Sequence, residues 1–353
     1  MHDNNKEIFK FLNPEDNDML SEISNSDLKE IIDYLNRYSL EYRSLLDIPS
    51  DVTFGIEIEM EHFKGGVSDF RPFEVAINKI VGNEDWTIKN DITLNWGREL
   101  ASEMYTNEPK TWEDIKNVCE LASKYGTIDI KCAGHVNIGS QIFGNNQLYW
   151  YRFLKLWTAY ENVIYRFGYG EYLTYFPFIL YSAKPIAKIF YERMDVFKKS
   201  LEGTVFDVIK GLEIPNMNRD FLKKNALSFI KMYGISDYSM VQNNCVVEIR
   251  NNLGTLDEVI WQNYNNFYIH LMLYCASNKF DDDLLDKRIM LQKDGFADID
   301  GYNKIYLKQA IELCDLIFDN NLDKVYFLRQ YLKNFEVSDK TLSKARKFTM
   351  TNR

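Results

Sequence analysis

The sequence predicts an α+β fold: a mostly antiparallel, curved sheet with helices packed on one side and helical extensions at both ends. Three observations predict it. Residues 52–61 alternate strictly between apolar and polar, the period of a strand with one face on a core. Other strand-like segments come in pairs joined by short turns, not by the helices that βαβ units need. Neither GxGxxG nor GxxxxGKS/T occurs, so the fingerprints of the dinucleotide-binding and P-loop folds are missing.

Residues 1–50 read as a helical N-terminal extension. Ser26–Asp27 is the expected cap, and Leu28, Ile31, Ile32, Leu35, Tyr38, Leu40 and Tyr42 follow at near-helical spacing. Residues 51–279 form the expected catalytic unit. Its first strand, VTFGIEIEME, turns Val52, Phe54, Ile56, Ile58 and Met60 one way and Thr53, Gly55, Glu57, Glu59 and Glu61 the other. The next stretch, with Lys64, Gly65, Gly66 and Arg71, reads as a connection that has the charge and mobility of a lid. Pro72 opens a helix to about Val81. Trp86–Asp91 and Arg98–Met104 are paired strands around a turn at Asn95–Gly97.

A helix from Thr111 to Tyr125 ends at Gly126, a natural C-cap. Ile128–Cys132 and His135–Phe143 read as a strand pair with Ala133–Gly134 at the turn. Residues 146–167 are a long aromatic helix, and 168–240 a helical and loop insertion. Tyr238–Val241 and Val246–Asn251 suggest a hairpin around Asn243–Asn244. Thr255 is the expected cap of the following helix, with Asp257 and Glu258 in the first turn, where the helix dipole favours them. Residues 280–353 read as a C-terminal helical extension without chemical motifs.

The 353 residues are 46% hydrophobic and 15% aromatic, enough for a sizeable core. A formal charge of −10 disfavours nucleic acid and anionic membrane surfaces as partners. Any phosphorylated ligand then needs metal ions to invert the local charge. The five cysteines are scattered and odd in number, which fits a reducing compartment better than a disulfide framework or zinc ribbon. With an acidic N-terminus and no long apolar run, the sequence reads as a cytoplasmic protein.

The informative segment is GIEIEME. Its glutamates recur on one strand face at about 7 Å, where like charges repel. For three glutamates alone, a solvated strand face explains the pattern as well as a cation site does. Other strands repeat the pattern. Asp91 ends one strand and Glu99 lies in its hairpin partner. His135 and Asn137 share a face in AGHVNIGS, although a lone histidine is more often a satisfied core residue than a ligand. Glu248 and Arg250 share a face in VVEIRNN, where the plain reading is a salt bridge. Together they describe a concave sheet lined with ligands for metal and phosphate.

In order along the chain, FGIEIEM, NDITLNWGRELAS, AGHVNIG and VEIRNNLGTLDE resemble the amidoligase family of the carboxylate–amine ligase superfamily, which includes glutamine synthetases and glutamate–cysteine ligases. The resemblance spans about residues 52–277, with no secure alignment over 168–240. It implies a glutamine-synthetase-like sheet. It implies a first cation site at Glu57, Glu59, Asp91 and Glu99, a second at His135 and Glu248 near the nucleotide phosphates, and Arg250 on the transferred phosphoryl group. Two positions depart from the family pattern: Asn137 stands where a second histidine is common, and Thr93 replaces the hairpin serine.

The activity implied is ATP-dependent formation of an amide through an acyl phosphate, with Mg²⁺, or Mn²⁺ in its place. The partners are a small-molecule or peptide carboxylate and an amine, and an oligomer is left open. Glu61 is a candidate to accept the amine's proton, and Asn137 a candidate contact to cofactor or substrate. Two alternatives use the same face: a phosphotransferase acting on a guanidino or carboxylate group, and a non-catalytic protein that binds a metal or a basic partner.

Overall fold

A computed structural model of the protein describes residues 8–13, 18–38, 41–62, 71–81, 86–91, 93–94, 97–128, 131–169, 179–213, 224–232, 245–295 and 306–332. Its strands are β1 (Phe54–Met60), β2 (Trp86–Asp91), β3 (Gly97–Ser102), β4 (Ala133–Gly139), β5 (Leu227–Ser228) and β6 (Val246–Leu253). They form one sheet in the order β2-β3-β1-β4-β6-β5, with every neighbouring pair antiparallel. The helices are α1 (Asn25–Leu35), α2 (Arg71–Val81), α3 (Pro109–Ala122), α4 (Gln147–Tyr169), α5 (Ile179–Ser182), α6 (Ala187–Glu192), α7 (Met194–Ser200), α8 (Val205–Lys210), α9 (Glu258–Ala276), α10 (Asp282–Gln292), α11 (Leu307–Ile317) and α12 (Asn321–Tyr331). The α+β antiparallel class expected from the sequence is the class found.

One face of the sheet is the core. Phe54, Ile56, Ile58 and Met60 are fully buried there, and Phe54 stacks on Trp112 of α3 at 4.9 Å. Close approach of helix to strand needs glycine at two places. A Cβ on Gly134 would lie 2.9 Å from Trp261 of α9, and one on Gly168 of α4 would lie 2.4 Å from the Asn251 carbonyl. Helix α4 is kinked at Tyr160, whose φ of −129° is not helical. The Tyr160 hydroxyl donates to Glu312 at 2.6 Å, and Arg288 grips the same carboxylate through two bonds of 2.7 and 2.6 Å. Helices α10 and α11 are thereby fastened to the kink. Among the described residues no helix is long and apolar enough to cross a membrane, and all five cysteines are buried thiols.

Several local expectations change. Ser24, not Ser26–Asp27, caps α1 by accepting from the Asp27 N–H, and the helix stops at Leu35, short of Tyr38 and Tyr42. Ala133 and Gly134 open β4 instead of forming a turn, and the chain after Gly139 is a 3-10 turn over Ser140–Ile142. Thr127 instead makes a single bridge to Glu61. Asp257 caps α9, because the Thr255 hydroxyl is already accepting from the Asp257 N–H at 3.0 Å. Residues 238–241 and 243–244 lie outside the described residues, and the described neighbours of β6 are β4 and the two-residue β5.

Candidate active site

Cross-strand register assembles the site. Glu57 on β1 lies opposite His135 on β4, Glu59 opposite Glu99 on β3, and Asn137 on β4 opposite Glu248 on β6. Residues directly opposite in an antiparallel pair share a face. Four strands thus deliver four carboxylates and an imidazole to the side of the sheet away from the helical core. A bulge between Gly134 and Val136 inserts an extra residue in β6, so that Arg250 and Asn251 both lie between the partners of Gly134 and Val136. Asn251 and Asn252 both serve the helical side, bonded to the Ile164 carbonyl and the Tyr268 hydroxyl.

The face is not wet. The side chains of Glu57, Glu248 and His135 are only 9%, 4% and 3% exposed. The Glu57 carboxylate accepts from His135 Nδ1 at 3.1 Å, from Asn137 Nδ2 at 3.0 Å and from Lys231 Nζ at 2.6 Å. Burial pushes this carboxyl up, but the His135 hydrogen bond and the Lys231 ammonium outweigh it and hold it well below the usual carboxylate range. Glu59 differs. Burial pushes its carboxyl up, against the pull of His135 and of the Ala133 N–H that it accepts at 2.7 Å. Because ionised Glu57 can only accept, His135 Nδ1 carries the hydrogen. Nε2 lies 3.8 Å from Glu59 Oε1.

Two groups have ligand atoms within 4.8 Å of one another: Glu57, His135 and Glu248, and Glu59, Glu99 and His135. The donors are mostly hard carboxylate oxygens, with one imidazole, already crowded and largely desolvated. This set fits Mg²⁺ or Mn²⁺ and lacks the thiolates that would select a softer metal.

The remaining predicted residues lie around these groups. Asp91 belongs to neither: its carboxylate accepts from the Thr93 N–H and hydroxyl at 2.8 and 2.6 Å, closing a turn. Its charge still reaches Glu59 and helps raise that carboxyl. Glu61 is 1% exposed, lies outside both groups and has His62 Nε2 at 3.8 Å. Arg250 donates from a terminal nitrogen to Glu248 Oε1 at 2.5 Å, and its buried Nε has no hydrogen-bond partner among the described residues. Lys64, Gly65 and Gly66 lie outside the described residues, and Arg71 begins α2.

Sequence reasoning missed Lys231 and Ser228, both from the 168–240 insertion. Lys231 Nζ donates to Glu57 and to Asn137 Oδ1 at 3.0 Å. Ser228 is the register partner of Glu248, and its buried hydroxyl has no hydrogen-bond partner among the described residues. The only sequence signal was the short apolar run ALSFIKM, too brief to show a period.

No family model matches the chain, and no curated protein matches it. Among the solved structures that match it, a novel glutamine synthase homolog aligns with a TM-score of 0.35 and 11% identity over 80% of this chain. The chain spans 66% of that structure's length.

Proposed function

We propose that the protein is an ATP- and Mg²⁺-dependent ligase that joins a carboxylate to an amine. The observation that carries this reading is the pair of carboxylate groups, one buried and one part-buried, sharing His135 on one sheet face. A surface kept only for solubility would leave its glutamates in water. Burying several like charges is expensive unless something positive pairs with them. The motif resemblance points to the same reaction.

In that reaction a substrate carboxylate takes the γ-phosphoryl group of ATP, giving an acyl phosphate and ADP. The amine then attacks the acyl carbon and phosphate leaves. Glu57, Glu59, Glu99, Glu248 and His135 would hold the cations, which supply charge neutralisation to the phosphates. Arg250 offers a planar fork suited to a phosphoryl oxygen pair, with one donor still unspent. Glu61 is the candidate to take the amine's proton.

The test is product analysis over a panel of carboxylic acids and amines with Mg²⁺·ATP. Ligation gives phosphate only when acid and amine are both present. A phosphotransferase gives ADP and a stable phosphorylated product with the acceptor alone. A binding protein gives neither, and either of the last two results overturns the proposal.

A further inference from the structure

We infer that Lys231 is a tethered counter-ion: it neutralises the Glu57–Glu248 carboxylates when no divalent cation is bound and leaves them when one arrives. The inference rests on the metal reading above. The Lys231 ammonium lies 2.6 Å from Glu57 Oε1 and 3.7 Å from Glu248 Oε2. These two carboxylates belong to one of the candidate cation groups. An ammonium and a metal ion would compete for the same lone pairs, and two positive charges sharing one oxygen in a partly dry site repel strongly.

The lysine is also placed to leave. Its side chain is 37% exposed, against 9% for Glu57 and 4% for Glu248, so it reaches the carboxylates from the solvent side. A four-carbon stem lets the head swing without moving its backbone. It stands on a 3-10 turn, Ile230–Met232, next to the two-residue strand β5. That element lies at one end of the sheet order, outside β1, β3 and β4. The ligands are therefore held by the sheet interior and their competitor by its edge. On the same side, the Ser228 hydroxyl and Arg250 Nε are buried without hydrogen-bond partners among the described residues. A displaced ammonium would join donors already suited to an anion entering with the cation.

The experiment is calorimetric titration of MgCl₂ and MnCl₂ into nucleotide-free protein, alongside melting curves. It uses wild type, Lys231→Met, Lys231→Arg and, as a control, Lys279→Met. Lys231→Met should bind the cation about tenfold more tightly or better, because a competing charge is gone. Its melting temperature without cation should fall and be restored by MnCl₂. Lys231→Arg, which keeps the charge, should bind like wild type. Lys279, 62% exposed and paired with Asp319 outside both cation groups, should matter little. Equal or weaker cation binding by Lys231→Met, while wild type binds, overturns the inference and leaves the metal reading standing. A Lys231→Met chain that stays unfolded even with MnCl₂ overturns it too, by showing a structural lysine. No cation binding by any of the four proteins overturns the metal reading, and the inference with it.

Discussion

Glu59 on β1 and Glu99 on β3 are direct cross-strand partners, two carboxylates set opposite each other. Like charges in that position destabilise a sheet. Lys89 relieves Glu99 at 3.1 Å, but burial and the charge of Asp91 both push the Glu59 carboxyl up. An arrangement held at a loss in the folded protein is what a site for a ligand of opposite charge requires.

Glu59→Gln keeps volume and removes one charge. Without ligand the variant should melt at or above the wild-type temperature, by up to about 1 kcal/mol in stability. Wild type should gain a rise in melting temperature with Mg²⁺·ATP, as mass action requires when only the folded state binds. The variant should gain little and form no amide. A full ligand-induced rise with full activity would remove Glu59 from the site.

Arg250→Lys keeps the charge and loses the fork. Turnover should fall by about 10²-fold or more, as when one donor to a developing charge is lost. Stability should change by less than about 1 kcal/mol. If urea unfolding shows a collapse instead, Arg250 serves mainly as the partner of Glu248.

ATP binding should depend on divalent cation, because an acidic face repels a polyanion. Calorimetry in MgCl₂ and in EDTA compares the two conditions. Equal affinity in both would end the case for a metal-lined face.

Lys155 ties α4 to α10 through Asp282 and Asp286, each at 2.9 Å. Burial alone would lower its ammonium pKa, but the hydrogen bonds to Asp282 and then Asp286 outweigh it and raise it above the ordinary lysine value. A raised lysine pKa stabilises fully below the unfolded value, about 10.4, and that contribution fades as pH rises through the folded one. Lys155→Met should therefore be less stable than wild type at pH 8, with the gap narrowing above about pH 10.4. Urea midpoints across that range measure it, and a constant gap would assign the effect to packing.

How much of this was legible depended on period. Strand β1 shows its faces because four apolar residues alternate with the polar set, and β4 and β6 show theirs the same way. Glu57, Glu59, His135 and Glu248 were readable for that reason. Asp91 reads two ways. Its place at a strand end suggests a ligand, and a residue that begins a turn also gives a carboxylate oxygen to the chain two positions on, here Oδ1 to Thr93. Lys231 was invisible because β5 is two residues long and the turn carrying it has no period at all. The caps moved for a related reason: Ser24, Ser26, Thr255 and Asp257 are all competent, and which one caps depends on hydrogen bonds that composition does not rank.

The strand order β2-β3-β1-β4-β6-β5 governs how the molecule is made. Glu57 emerges early in synthesis and must wait nearly two hundred residues for Glu248 to reach the far side of β4. Pairings so distant along the chain form slowly, since the intervening loop must be closed first. A nascent or truncated chain ending before β6 has Glu57, Glu59, Glu99 and His135 but no Glu248 or Arg250, so it lacks one carboxylate group and the fork together. Half of this face is therefore unavailable to any partly made protein. The cation-binding capacity of a ribosome-bound chain would report, almost like a switch, whether its last long strand has docked.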